Sequence, residues 1–324
     1  MTLINIIDRN VSVMEDLLDG IFRSDRTAIS KAITILEDEL PGYETIYRKL
    51  LKKTGRAFKI GIAGPPGAGK STLINCLTKE FRTRNFKVAV VAVDPSSPIS
   101  GGAILGDRVR MLEHSLDQGV FIRSLASRGS LGGLSKATRR VVSVLDAAGY
   151  DIVLIETVGI GQTELEVARV ADITVVVLMP QTGDEVQAMK AGLLEIGDIF
   201  VMNKSDIEGA DRAIVQIATF VSRRDGKKPP IVKTVARTCE GVKLLADHIL
   251  NIRENFNKEE VKDINRIKND LKQIISEKME ALTSQMLYDE STLATHASRI
   301  SQNKENIEDA AKKIISKAIR DANY

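Results

Sequence analysis

The chain has no tryptophan and only eight phenylalanines and five tyrosines among its 324 residues. A protein that stacks unpaired bases needs an aromatic platform, and one that follows a phosphate backbone needs a basic stripe. Neither is visible, because the basic and acidic residues are interspersed and the net charge is +3. Nucleic acid is therefore not expected as a partner. The two cysteines, Cys76 and Cys239, sit in different halves of the chain, and the histidines, His114, His248 and His296, are scattered. That spacing argues against a disulfide scaffold and against a clustered soft-ligand metal site. Both cysteines are expected to be reduced thiols in a cytoplasmic protein, packed as small apolar residues. No apolar run reaches the roughly 18 residues of a spanning helix, so no membrane segment is expected. The N-terminus carries Asp8, Arg9, Glu15 and Asp16 within its apolar pattern, which fits neither a signal nor a transit peptide. What is present, at 43% hydrophobic and 27% charged, suits a globular chain with one main domain and extensions.

Three textures follow one another. Residues 1–56 read as a helical segment, since Ile29, Ala32, Ile33, Leu36 and Leu40 recur at helical spacing before the Pro41-Gly42 break. Over residues 57–254 the short runs KIGIA, KVAVVAV, VFIRS, DIVLIE, ITVVVLM, DIFVM and PIVKTV alternate with helical stretches. This predicts an α/β fold with a mostly parallel sheet covered on both faces. From 255 to 324 the chain is charged and helical, with Ile264, Ile267, Leu271 and Ile274 at three- and four-residue spacing. That arm either packs on its own domain or pairs with another subunit.

The most informative stretch is IAGPPGAGKSTLINCL, residues 62–77. Gly64, Gly69, Lys70 and Ser71 occupy the fixed positions of G-x-x-x-x-G-K-[ST], directly after an apolar run. Such a loop, here Gly64, Pro65, Pro66, Gly67, Ala68 and Gly69 leading into Lys70, Ser71 and Thr72, turns successive N–H groups toward a polyanion at a helix N-terminus. Lys70 adds a point charge and the Ser71 hydroxyl can reach a magnesium ion. The competing dinucleotide fingerprint, G-x-G-x-x-G, is not spelled out anywhere.

Ligands of parallel sheets bind beyond the carboxyl ends of the strands, and Gly64, Asp94, Glu156 and Asn203 all fall at such ends. In NKSD, Asn203, Lys204 and Asp206 suit a base reader: a fixed carboxylate accepts both N1–H and the N2 amino group of guanine, a donor pair that adenine lacks. Glu156, in DIVLIETVGIGQ, is placed to hold magnesium directly or through water, and the N–H of Gly159 to sense a γ-phosphate. Asp94 could orient water or support the metal, with Asp107 and Arg108 as loop candidates for the same region.

Together GPPGAGKST, DPSSP, GGAILGDRVRM, FIRSLASRGSLGGLS, ETVGIGQTE, PQTGDEVQAMKAGLLEIGD and NKSD closely resemble the MeaB/ArgK family over roughly residues 20–250. The resemblance implies a dimeric P-loop NTPase of the SIMIBI GTPase type, a chaperone that guards adenosylcobalamin loading into an acyl-CoA mutase such as methylmalonyl-CoA mutase. By motif match it places Lys70 on the phosphates, Ser71, Asp94 and Glu156 on Mg2+ or its water shell, Asp107 in a metal or catalytic switch, and Asp206 on the base of GTP or GDP. Val235, Ala236 and Arg237 fall on the family's T-S-A-like loop, whose backbone would touch the guanine oxygen. Gly183, Asp184, Glu185 and Lys190 fall on a switch that contacts the mutase. The family's tryptophan before P-P-I is absent, Gly226 to Lys228 standing there instead. Gln162 stands three residues after Gly159, unlike the water-positioning glutamine of Ras-like proteins, and reads better as a switch-loop contact.

Two rival functions are disfavoured. A transport ATPase or kinase, a label carried by ArgK-like sequences, is disfavoured by the lack of H-R-D and D-F-G motifs and by the guanine-type NKSD. A metal-insertion GTPase would want clustered histidines and cysteines.

Overall fold

The computed structural model describes residues 3–94, 112–114, 116–126, 133–157, 167–180, 192–221, 228–255 and 289–321, with the helical positions 271, 275, 279, 283 and 286. Asp107, Arg108, Gly159, Gln162, Gly183, Asp184, Glu185 and Lys190 lie outside the described residues, as does the side chain of Asp94. The chain divides into two compact units, Met1–Asn255 and Phe256–Tyr324.

In the first unit the β-branched runs form seven strands, β1 (Phe58–Ala63), β2 (Val88–Asp94), β3 (Val120–Ala126), β4 (Ile152–Thr157), β5 (Ile173–Leu178), β6 (Ile199–Met202) and β7 (Ile231–Lys233). They make one sheet in the order β3-β2-β4-β1-β5-β6-β7. Every neighbouring pair is parallel, so the sheet expected to be mostly parallel is wholly so. Parallel strands need crossovers that cover both faces, which is why β4 and β5 are buried at every position. β1 lies between β4 and β5, where successive crossovers leave in opposite directions, and this switch point is where such sheets bind ligands.

Three helices precede the sheet: α1 (Leu3–Phe22), α2 (Arg26–Glu37) and α3 (Tyr43–Leu51). Asp25 caps α2 by accepting from the Ala28 N–H at 2.7 Å. The apolar stripe Ile29, Ala32, Ile33 and Leu36 is wholly buried, in one core with Val91 of β2, Val153 of β4 and Val141 of α5 (Gly133–Ala147). Polar ties flank it. Arg26 donates to the Val120 carbonyl at 2.7 Å, Arg123 pairs with Glu37 at 2.8 Å, and Arg140 lies 4.6 Å from the Tyr43 ring centre. The chain enters β1 under a clamp: buried Asp146 accepts the N–H groups of Gly55, Arg56 and Ala57. Among the described residues the other helices of this unit are α4 (Lys70–Thr83), α6 (Leu193–Ile196), α7 (Ala210–Phe220) and α8 (Val242–Asn255).

In the second unit α9 (Glu290–Ser301) and α10 (Ile307–Asp321) are joined through Glu305, whose carboxylate meets His296 and Lys313 at 2.7 Å each. Asp289 caps α9, and the hydroxyls of Thr292 and Ser291 with the Thr292 N–H hold its carboxyl down to about 2. Leu271, Ile275 and Met279 are exposed at four-residue spacing; Ile264, Ile267 and Ile274 lie outside the described residues.

Candidate nucleotide site

The site is built from chain reversals at one edge of the sheet. Gly64 follows β1, Asp94 ends β2, Glu156 is the next-to-last residue of β4, and Asn203 follows β6. Thr234, Val235, Ala236 and Arg237 follow β7. Parallel pairing in this order brings all of them to the carboxyl edge.

Two glycines are demanded by close approach. Gly64 has φ +142°, and a Cβ there would stand 2.1 Å from the Val177 carbonyl oxygen on the adjoining β5. Gly69 has φ +90°, and its Cβ would stand 2.4 Å from Asn203 Nδ2. Larger residues would force the loop off β5 and off the base motif. Pro66 and Gly67 are exposed on the loop and Thr72 on the first turn of α4, whereas Ala68, Lys70 and Ser71 are buried. Lys70 curls over the loop, its ammonium donating to the Gly64 carbonyl at 2.7 Å and to that of Pro65 at 3.1 Å.

The Ser71 hydroxyl donates to the Glu156 carboxylate at 2.6 Å, joining the start of α4 to the end of β4. Asn203, only 2% exposed, is the hub on the other side. Its Nδ2 donates to the Ala68 carbonyl at 2.7 Å, while its Oδ1 accepts from the Ala236 N–H at 2.9 Å and the Thr234 hydroxyl at 3.1 Å. One side chain therefore holds the glycine loop, the NKSD turn and the loop after β7 in mutual register. Lys204, at φ +55°, extends its ammonium to within 3.6 Å of the Met179 sulfur, and Asp206 is exposed beyond it. The sequence reading missed Ala68 and Thr234 as partners of Asn203, because only the sheet order brings them together.

A polar row on α4 seats the turn Leu112–His114, which follows the segment carrying Asp107 and Arg108. Asn75 meets His114 at 2.7 Å and also Glu113, Lys79 pairs with Glu113 at 2.7 Å, and Arg82 with Asp117 at 2.8 Å. Burial pushes the His114 imidazole below its ordinary value.

The cysteine expectation is corrected. Cys76 and Cys239, 163 residues apart, form a disulfide between α4 and the loop after β7, with Cα atoms 5.5 Å apart. Only Cys76 is buried. Separation along the chain does not forbid pairing when two elements flank one site, and the bond removes the cysteine argument for a reducing compartment.

A glycine loop after the switch-point strand, a lysine and serine opening the next helix, and an N-K-x-D turn after β6 define a P-loop GTPase. Residues 29–291 match the family described as methylmalonyl Co-A mutase-associated GTPase MeaB, and the chain belongs to it. A relative from Pyrococcus abyssi, named as a GTPase, is 46% identical over 82% of this chain and 84% of its own length. The mouse methylmalonic aciduria type A homolog, mitochondrial, is 36% identical over 72% of this chain and 62% of its own. A crystal structure titled LAO/AO transport system kinase shares the fold, with a TM-score of 0.68, 23% identity, and coverage of 95% of this chain and 98% of that one.

Proposed function

We propose that the chain is a GTP-driven chaperone that gates adenosylcobalamin loading into an acyl-CoA mutase of the methylmalonyl-CoA mutase kind and protects that enzyme. The observation that carries the reading is the family match over residues 29–291, whose description associates these GTPases with that mutase. The mouse relative's name supports it. In this reading Lys70 leaves the Gly64 and Pro65 carbonyls to meet the β- and γ-phosphates, backbone N–H groups from Gly67 to Thr72 cradle them, and Gly159 reports the γ-phosphate. Asp206 reads guanine N1–H and N2, and the loop Val235, Ala236 and Arg237 meets its O6.

The Ser71–Glu156 pair is a buried couple of hard oxygens, the donor type magnesium takes. With Asp94 as a further carboxylate, these residues would hold Mg2+, which when bound would neutralise phosphate charge. Asp107 would complete a switch that senses it, and Gly183, Asp184, Glu185 and Lys190 would carry the nucleotide state to the mutase. The exposed Leu271, Ile275 and Met279 support an arm that pairs with a second copy in a homodimer.

The test mixes the purified chain, loaded with GDP or a non-hydrolysable GTP analogue, with a purified adenosylcobalamin-dependent mutase. Co-elution that depends on the nucleotide, and faster GTP turnover when the mutase is added, are the expected results. No complex with either nucleotide, together with unchanged turnover, would remove the chaperone reading and leave the GTPase standing. Alanine at Glu185 or Lys190 should keep basal GTP binding and blunt the acceleration.

A further inference from the structure

We propose that the Cys76–Cys239 disulfide is a redox control on guanine recognition: cutting it with a dithiol reductant loosens the base loop and speeds nucleotide release. The inference rests on the reading of Val235, Ala236 and Arg237 as the loop that meets the base.

The loop is a tight reversal, with the Val235 N–H donating to the Glu240 carbonyl at 3.1 Å and the Thr238 N–H to that of Val235 at 3.0 Å. Its inner side is fastened to the base motif, through Asn203 on Ala236 and Thr234 and through the Ser205 N–H on the Thr234 carbonyl at 3.1 Å. Its outer side is fastened by the disulfide to α4, the helix that opens with Lys70 and Ser71. The bond therefore joins the phosphate half of the site to the base half covalently. A crosslink closing so long a segment restricts the chain more than one hydrogen bond does.

Two further features suit a reversible bond. Cys239 is exposed while Cys76 is 4% exposed, so an attacking thiolate approaches the bond from the Cys239 side. Cys239 also holds φ +61°, a left-handed conformation that a side-chain-bearing residue keeps only when its surroundings hold it there. The chemistry balances as ordinary thiol–disulfide exchange. A thiolate of the dithiol attacks Cys239 Sγ, and Cys76 departs as a thiolate and takes up a proton. The reductant's second thiol then displaces Cys239 from the mixed disulfide, so that two electrons pass from the dithiol and it leaves as a disulfide. Cys76 Sγ lies 3.2 Å from the Ala236 carbonyl oxygen, so the freed thiol can donate there, a weaker hold on the residue whose N–H is held by Asn203.

The experiment compares the full chain before and after treatment with dithiothreitol at fixed magnesium and pH. It titrates thiols, follows release of a fluorescent GDP, and measures the preference for GDP over ADP. We expect no titratable thiol before treatment and both after it, release about three- to tenfold faster in the reduced chain, and a smaller GDP preference. Cys239→Ser and Cys76→Ala should release at the reduced rate and ignore the dithiol. Free thiols in the untreated chain overturn the proposal, as do equal release and equal preference in the two states, even if reduction lowers thermal stability. If neither state binds GDP above ADP, it is the base-loop reading that fails, and the redox inference falls with it.

Discussion

Asn203→Ala removes the side chain that holds three loops together. It eliminates the bonds to the Ala68 carbonyl, the Ala236 N–H and the Thr234 hydroxyl, and all three partner residues are buried. The hydroxyl can rotate to another acceptor, but the carbonyl and the N–H cannot leave the site. An unmade buried donor or acceptor costs roughly 1–3 kcal/mol, so two orphaned backbone groups put the loss near 2–6 kcal/mol. That is smaller than most of the ~5–15 kcal/mol range of ordinary domain stabilities, so the variant should fold. Urea unfolding without nucleotide should show a lower midpoint at unchanged slope, the mark of lost stability without altered compactness. Calorimetric titration with GDP, at a temperature where the variant is folded, should show affinity reduced by about tenfold or more, since the P-loop and the base turn lose their common brace. Asn203→Asp separates charge from geometry. It keeps an acceptor for Ala236 and Thr234 but turns a second oxygen toward the Ala68 carbonyl, so it should be as damaging at neutral pH. A stability loss below about 1 kcal/mol in the alanine variant, with wild-type GDP affinity, would refute the reasoning.

Lys70→Ala should keep the fold and abolish nucleotide binding, because its bonds to the Gly64 and Pro65 carbonyls stay within one loop while its charge serves the phosphates; circular dichroism with GDP titration checks both. Asp206→Asn should weaken GTP by roughly 2–4 kcal/mol and strengthen xanthosine triphosphate, whose carbonyl meets the new amide donor; competition binding reads the exchange. His114 is held below its ordinary value by burial, so the unfolded chain gains a proton first as pH falls below about 6.5. Stability should therefore drop as pH falls from there through the folded value, and His114→Gln, measured by urea midpoints at pH 7.5 and 5.5, should flatten that part of the slope.

What the sequence disclosed was what is local. The P-loop spells its chemistry in consecutive residues, and β1 to β7 each announce themselves by a short apolar run. The NKSD turn was equally legible, yet the hub role of Asn203 was not. Its partners Ala68, Thr234 and Ala236 reach it only because β6 stands beside β5 and β7 in the sheet. The cysteines failed for the same reason in sharper form: one lies on α4 and the other after β7, and nothing in either neighbourhood points to the other. Periodicity marked Ile29, Ala32, Ile33 and Leu36 correctly but ran on to Leu40, which lies exposed beyond the end of α2, and it carried no information on what that face packs against.

That packing has a consequence for how the protein is made. Ile29, Ile33 and Leu36 close a core whose other members include Val91, Val141, Val144, Val153 and Ile155, all synthesised long after them. At usual elongation rates the wait until β4 has emerged is on the order of ten seconds. During it α2 has an oily stripe and no sheet to lay it on. A ribosome that stalls, or a message that ends, before β4 releases a fragment in which α2 has α1 and α3 beside it but lacks the part of its core that β4 and α5 supply. The finished fold conceals that stripe completely, whereas the growing chain must display it.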